Sequence, residues 1–192
     1  METLLAVAVA YLIGSIDFGV IVPRLMGIDI YAQGSGNPGT SNVFRTLGKG
    51  PAALVLLGDG AKGAVAAAVG QSVGGDVVAA AAGFFAVVGH VFPLWHRFHG
   101  GRGVATAIGV AIFLAPVSGL VLAVVWLVIV LVWKVASIAS LTAMALYVPA
   151  IAVAGHRDAS LWFVVAIVVL VVARHLPNIR RIVAGRERTV EG

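Results

Sequence analysis

GVATAIGVAIFLAPVSGLVLAVVWLVIVLVW, residues 103 to 133, decides the architecture. A helix that crosses a bilayer takes roughly 20 apolar residues, sometimes about 17. This run is too long for one comfortable span and short for two. Pro116, Ser118 and Gly119 interrupt it near the middle, as a tight turn between two short helices would. Further apolar runs lie at about 3 to 23, 51 to 70, 76 to 93, 137 to 154 and 159 to 173. A turn at Pro116 adds 103 to 115 and 118 to 133 to these, which makes seven spans.

Charge chooses between the two counts, because loops on the cytoplasmic side carry the excess of Lys and Arg. The chain has 13 such residues, of which Lys62 lies inside the second run. With seven spans, all the others except Arg157 fall on one side; with a single span at 103 to 133 they split evenly. The expected fold is therefore an all-α integral membrane protein of seven helices, with short re-entrant or helical elements in the cytoplasmic loops. Its N-terminus lies outside and its tail, residues 174 to 192, in the cytoplasm.

Composition agrees. The chain is 60% hydrophobic and 11% charged, with a mean hydropathy of +1.05, values that suit lipid rather than water. It has no cysteine, which excludes disulfides, thiolate metal ligands and cysteine nucleophiles. Glu2 stands where a signal peptide carries basic residues, so the first run is expected to be a retained span. The net charge of +5 follows from topology and from attraction to anionic head groups, and no nucleic-acid partner is expected. On composition alone the tail ARHLPNIRRIVAGRERTVEG reads as a juxtamembrane anchor. No internal repeat is evident, and the whole of 1 to 192 reads as one transmembrane domain.

The first cytoplasmic loop contains QGSGNPGTSNVFRTLGKG, residues 33 to 50. Gly34, Gly36 and Gly39 spell a dinucleotide fingerprint, but transmembrane helices flank it, so the strand and helix that such a loop needs are missing. Glycines still let backbone N–H groups approach an anion closely. Asn37, Thr40, Ser41 and Asn42 add short polar groups, and Arg45 adds charge. A plain turn would explain the glycines without the arginine. The segment GHVFPLWHRFHGGRGVAT, 89 to 106, repeats the pattern: Gly100, Gly101 and Gly103 surround Arg102 directly before a span, the outline of a phosphate site. A flexible hinge with one positive-inside arginine is the bland alternative. The tail supplies His175 and Asn178, and Ser137 and Ser140 follow Lys134; Ser140 reads as a cap or packing hydroxyl. Separate segments thus deliver polar and basic groups to one membrane face. Within the membrane, Asp59 and Lys62 lie three residues apart on one helix face and read as a structural pair, with His90 as a further structural polar residue. Asp17 has no partner within a helical turn of sequence.

GSGNPGTSNVFRTLGK, LLGDGAKG, GHVFPLWHRFHGGRGVAT and RHLPNIRRIVAGRE, in that order, resemble the bacterial acyl-phosphate:glycerol-3-phosphate acyltransferases, the PlsY type. The likeness runs from Gly14 to about Glu187. It implies a seven-helix enzyme of the bacterial inner membrane, its active site on the cytoplasmic face, that acylates the 1-hydroxyl of glycerol 3-phosphate from acyl phosphate. The products would be lysophosphatidic acid and phosphate, a step of phospholipid biosynthesis. Residue by residue, the resemblance assigns catalytic roles to Ser35, Arg45, Arg102, Ser137, His175 and Asn178. It assigns substrate binding to Gly36, Asn37, Gly39, Thr40, Asn42, Gly100, Gly101 and Gly103. No cofactor and no metal is expected; the partners are acyl phosphate, glycerol 3-phosphate and membrane lipids. The sequence departs from the family pattern at three places: Arg102 for a lysine, Pro177 for a glutamate and Asp17 for a proline. A divergent relative without the activity, a transporter of a phosphorylated anion and a scaffold without chemistry are the competing readings.

Overall fold

The computed structural model describes residues 1–191; Gly192, the last residue of the expected tail, lies outside the described residues. Among these residues every regular element is helical. The α-helices are α1 (Glu2–Gly14), α2 (Phe18–Leu25), α3 (Thr40–Leu47), α4 (Lys49–Val91), α5 (Val104–Leu114), α6 (Pro116–Trp133), α7 (Ala136–Val153), α8 (Ser160–Arg174) and α9 (Leu176–Val183). Short 3-10 turns occupy Ile30–Ala32 and Leu94–His96.

The helix of the 103–133 run ends at Leu114, Ala115 leaves helical geometry (φ −145, ψ 84), and Pro116 opens α6. A proline at that position costs nothing, since its missing N–H would have no partner in a first turn. Gly119 then lies so close to Ile112 that a Cβ would overlap its backbone. Ser118 Oγ donates to the Ala150 carbonyl at 2.9 Å.

Two other runs are less regular than their hydropathy. The run expected at 3 to 23 is broken: Asp17 is extended (φ −100, ψ 95) between α1 and α2. The break frees the Ile16 carbonyl, which accepts from Lys62 Nζ at 2.7 Å. Helix α4 doubles back at Gly74 and Gly75, the latter at φ +68, which brings Gly70 against Val78, Ala79 and Ala82. By length and composition four helical stretches can cross a membrane: Glu2–Leu25, Lys49–His96, Pro116–Trp133 and Ala136–Val153. The bent pair of α8 and α9, 55° apart, makes a fifth if it is one span.

Small side chains set the packing. Ala10 of α1 meets Ala66, Ala82 and Ala86 of α4, a contact in which backbones approach closely, as helices in lipid require. The larger core joins α4 to α8 through Val87, Val110, Leu122, Met144, Tyr147 and Ile167, and the Tyr147 hydroxyl donates to the Ala107 carbonyl at 2.8 Å. A third cluster, Val20, Ile30, Val43, Ala52 and Val55, lies beneath the glycine-rich loop and seats it. Helix α6 turns Leu120, Val124, Leu127 and Leu131 outward and has only 11% of its length buried, the profile of a helix solvated by lipid.

Candidate active site

Helices α3, α5, α7 and α9 all begin at one cavity. Thr40 and Ser41, Val104 and Ala105, Ala136 and Ser137, and Asn178 line it from their first turns. The first N–H groups of a helix have no intrahelical partner and carry the positive end of its dipole. Four such ends around one space favour an anion. The space at the cavity, open solvent at its mouth included, is about 830 Å³.

Arg45, Arg102, Arg181 and Arg188 reach the same space, against two carboxylates, Glu187 and the Lys62-paired Asp59. Arg102 has no hydrogen-bond or ion-pair partner among the described residues. Burial pushes its guanidinium down to about 10; Arg181, Arg45 and Arg174 push the same way and Glu187 opposes them. Arg45 is also lowered, by burial first and then by Arg188. Both remain cations at neutral pH, and both are stabilised by any anion that enters.

The glycine-rich loop is shaped by Asn42, which is buried. Its Oδ1 accepts from the Ser35 N–H at 2.9 Å and its Nδ2 donates to the Gln33 carbonyl at 3.0 Å. Asn42 thereby fixes the loop, while Ser35, Asn37, Gly39 and Thr40 form the wall. Gly36 lies just outside the wall at φ +68. Gly100 and Gly101 are also outside it: their N–H groups donate to the Val91 and His90 carbonyls at 3.2 and 3.1 Å. Gly101 lies flat against the His90 ring, where a Cβ would collide. Gly103, at φ +87, caps α5 and lines the cavity beside Arg102.

On the far side, His175 is buried and its Nδ1–H donates to the Val171 carbonyl at 2.8 Å, which leaves Nε2 as the free nitrogen. Ser137 donates to Glu187 Oε1 at 3.0 Å, and Asn178 Nδ2 donates to the same oxygen. Ser140 Oγ donates to the Ala136 carbonyl at 2.8 Å and accepts from Trp126 Nε1 at 3.1 Å. Asp59 and His90 close the cavity floor. Asp59 pairs with Lys62 at 2.7 Å and stands 3.5 Å from His90 Nδ1. Asp17 is completely buried, and neither of its carboxyl oxygens has a hydrogen-bond partner among the described residues.

All six residues assigned catalytic roles by resemblance line this cavity. Sequence reasoning missed Arg181, Glu187, Arg188 and Trp126 as site residues. Arg181 was within reach: His175, Asn178 and Arg181 recur every three residues along one helix face.

An all-helical bundle with apolar, outward-facing helices and an arginine-rich cavity at one end defines a membrane protein that handles an anionic substrate. The family model described as glycerol-3-phosphate acyltransferase matches residues 4–185. The chain is 44% identical to a glycerol-3-phosphate acyltransferase of Neisseria meningitidis serogroup B, over 97% of this chain and 96% of that one. It is 41% identical to that of Burkholderia lata, over 99% and 92%. Among solved structures it is similar to PlsY (YgiH), an integral membrane glycerol 3-phosphate acyltransferase. The glycerol 3-phosphate form superposes with a TM-score of 0.93 at 38% identity, covering 98% of this chain and 96% of that one. The lysophosphatidic acid form gives 0.91 at 39%, covering 98% and 95%. The chain belongs to the glycerol-3-phosphate acyltransferase family and is an enzyme of it.

Proposed function

We propose that the protein transfers an acyl group from acyl phosphate to the 1-hydroxyl of glycerol 3-phosphate, at the cytoplasmic face of a bacterial inner membrane. The observation that carries this reading is the meeting of Arg45, Arg102, Ser35, Ser137, His175 and Asn178, from four distant segments, around one cavity where four helices begin. Two phosphorylated substrates need such a surplus of positive charge. The structures of PlsY in its glycerol 3-phosphate and lysophosphatidic acid forms name the acceptor and product of a relative with the same fold.

The hydroxyl oxygen attacks the acyl carbonyl carbon, the bond from that carbon to the phosphate oxygen breaks, and the departing phosphate takes the hydroxyl proton. The products balance as lysophosphatidic acid and inorganic phosphate. No protein base is required, because the leaving phosphate is itself the acceptor. The chain's part is to hold both phosphates and to stabilise charge as it builds. Arg102 and the start of α5 hold glycerol 3-phosphate; the loop of Ser35, Gly36, Asn37 and Gly39, with Thr40 and Arg45, holds the donor's phosphate. Gly100 and Gly101 serve by packing the backbone before Arg102 against His90. The substrate-assisted step also accounts for a missing motif: no His is followed five residues later by Asp, the acid–base pair of thioester-using glycerolipid acyltransferases.

Purified protein given acyl phosphate and glycerol 3-phosphate should release lysophosphatidic acid and phosphate in equal amounts. Arg102→Ala should lower kcat/KM by about 10- to 100-fold, the scale of a hydrogen bond to a charged group. Product formation no greater than in that variant, from folded protein, would overturn the reading. A titrating protein group near neutral pH whose removal stops turnover but spares binding would overturn the substrate-assisted step.

A further inference from the structure

The glycine-rich loop and the segment that carries Arg102 are joined outside the cavity. Tyr31, in the 3-10 turn Ile30–Ala32, donates its hydroxyl to the His99 carbonyl at 2.6 Å, across 68 positions of sequence. The turn is firm at its own end. Ile30 is buried in the cluster beneath the glycine-rich loop, and Asp29 Oδ1 accepts from the Tyr31 N–H at 3.0 Å. Just beyond the turn, the Gln33 carbonyl accepts from both the Gly36 N–H at 2.8 Å and Asn42 Nδ2 at 3.0 Å, which carries the turn without slack into Ser35 and Asn37. The far end is strained. Arg97 and Phe98 are both left-handed, at φ +52 and +61, a region that residues with side chains occupy only where neighbours hold them. Among the described residues, 94–98 hydrogen-bond only within their own turn and to Pro93. His99 follows, and beyond it Gly100 and Gly101 are pinned to the Val91 and His90 carbonyls directly before Arg102.

We propose that Tyr31 is a positioning residue: its bond to His99 sets the gap between the loop that holds the donor's phosphate and the segment that holds glycerol 3-phosphate. Which substrate lies on which side rests on the proposed function; the bond itself does not. Each side keeps its shape without Tyr31. Asn42 fixes the glycine-rich loop from within, and the Val91 and His90 carbonyls fix Gly100 and Gly101. What the hydroxyl adds is their relative placement. The distance from the attacking oxygen to the acyl carbon depends on that placement, and the rate falls steeply once the two leave contact range. Loss of the hydroxyl therefore reaches kcat and spares both KM values. Its effect is bounded: a neutral hydrogen bond nets little more than a factor of about ten, so a tether of this kind supplies about 3- to 10-fold. The tether also holds across the neutral pH range. Burial first, then Asp17 and Asp29, push the Tyr31 hydroxyl up to about 12 against the opposing Arg24, so it keeps the proton it donates.

The test is Tyr31→Phe in the full chain in detergent, which keeps the ring and removes only the hydroxyl. Tyr11→Phe is the matched control. The Tyr11 hydroxyl donates to the Phe92 carbonyl at 2.9 Å, a bond from α1 to the start of the same segment that joins neither phosphate loop to the other. With acyl phosphate and glycerol 3-phosphate, Tyr31→Phe should lose about 3- to 10-fold in kcat with both KM values within about twofold of the parent's, while Tyr11→Phe keeps the parent's kcat. The gap can be measured directly, because the chain has no cysteine of its own. Nitroxides on cysteines replacing the exposed Ala32 and Trp95 lie one on each side of it. Their distance distribution, read by dipolar EPR, should broaden in Tyr31→Phe and stay narrow in Tyr11→Phe. An unchanged kcat in Tyr31→Phe, an equal loss in Tyr11→Phe, or a distribution that stays narrow in both would each overturn the proposal. So would a raised KM at constant kcat, since Tyr31 would then shape one subsite rather than the gap. If Tyr31→Phe does not fold, Tyr31→Leu is read in its place by the same criteria. The distance is measured without turnover, so a protein whose gap loosens in Tyr31→Phe but that makes no lysophosphatidic acid overturns the function and leaves the strut.

Discussion

Asp17 shows how much one residue can cost. It is buried, extended and unpartnered at the start of α2, behind the Asp59–Lys62 pair. A polar group left unsatisfied in a protein interior costs about 1–3 kcal/mol. Asp17→Ala should therefore raise the unfolding midpoint in detergent, by a stability increment of about 1–3 kcal/mol; a lower midpoint would show that the carboxyl is paid for by an interaction with its charged neighbours. Some residues announced themselves in the sequence. Asp59 and Lys62, three apart in an apolar run, could do little but pair. Glu187 could not be read that way, because its partners Ser137 and Asn178 are set by how the tail returns. Arg45 and the Thr189 carbonyl, which it bonds, lie 144 positions apart.

At the scale of elements, the turn between α5 and α6 was legible because Pro116 and Gly119 punctuate an otherwise uniform run. The break between α1 and α2 was not, since hydropathy runs on through Asp17 and reports nothing about backbone geometry. The α5–α6 turn depends on contact without side chains. Gly119→Ala places a Cβ onto the Ile112 backbone, and such overpacking costs about 1–3 kcal/mol. Its unfolding midpoint should drop, while Gly50→Ala, whose Cβ would meet open space in α4, should hold or rise. Equal behaviour of the two variants would mean that the turn yields at no cost. The four helix starts at the cavity were only half visible: the glycines before α3 and α5 marked two of them, whereas α7 and α9 begin without such a signal.

For the whole molecule, the seven crossings proposed from charge place Arg157 opposite the tail. The doubled α4 and the α5–α6 turn supply the reversals that this count needs, although α5 is short. The absence of cysteine makes the test direct. A cysteine replacing Arg157 should react with an impermeant maleimide on intact cells, and one replacing Arg186 only after the membrane is opened. Both positions are exposed. Labelling of both from outside would invalidate the topology.

The cavity that gathers the arginines also has an apolar wall, in which Leu56, Val104, Ile108 and Trp126 stand among helices bathed in lipid. A donor with a long acyl tail would reach this wall from the side, while its acceptor arrives through the aqueous mouth. The two substrates then obey different units. Glycerol 3-phosphate is counted per volume of water, but a donor dissolved in lipid is counted per area of bilayer, so diluting the membrane with inert lipid starves the enzyme even when the total amount of donor is unchanged.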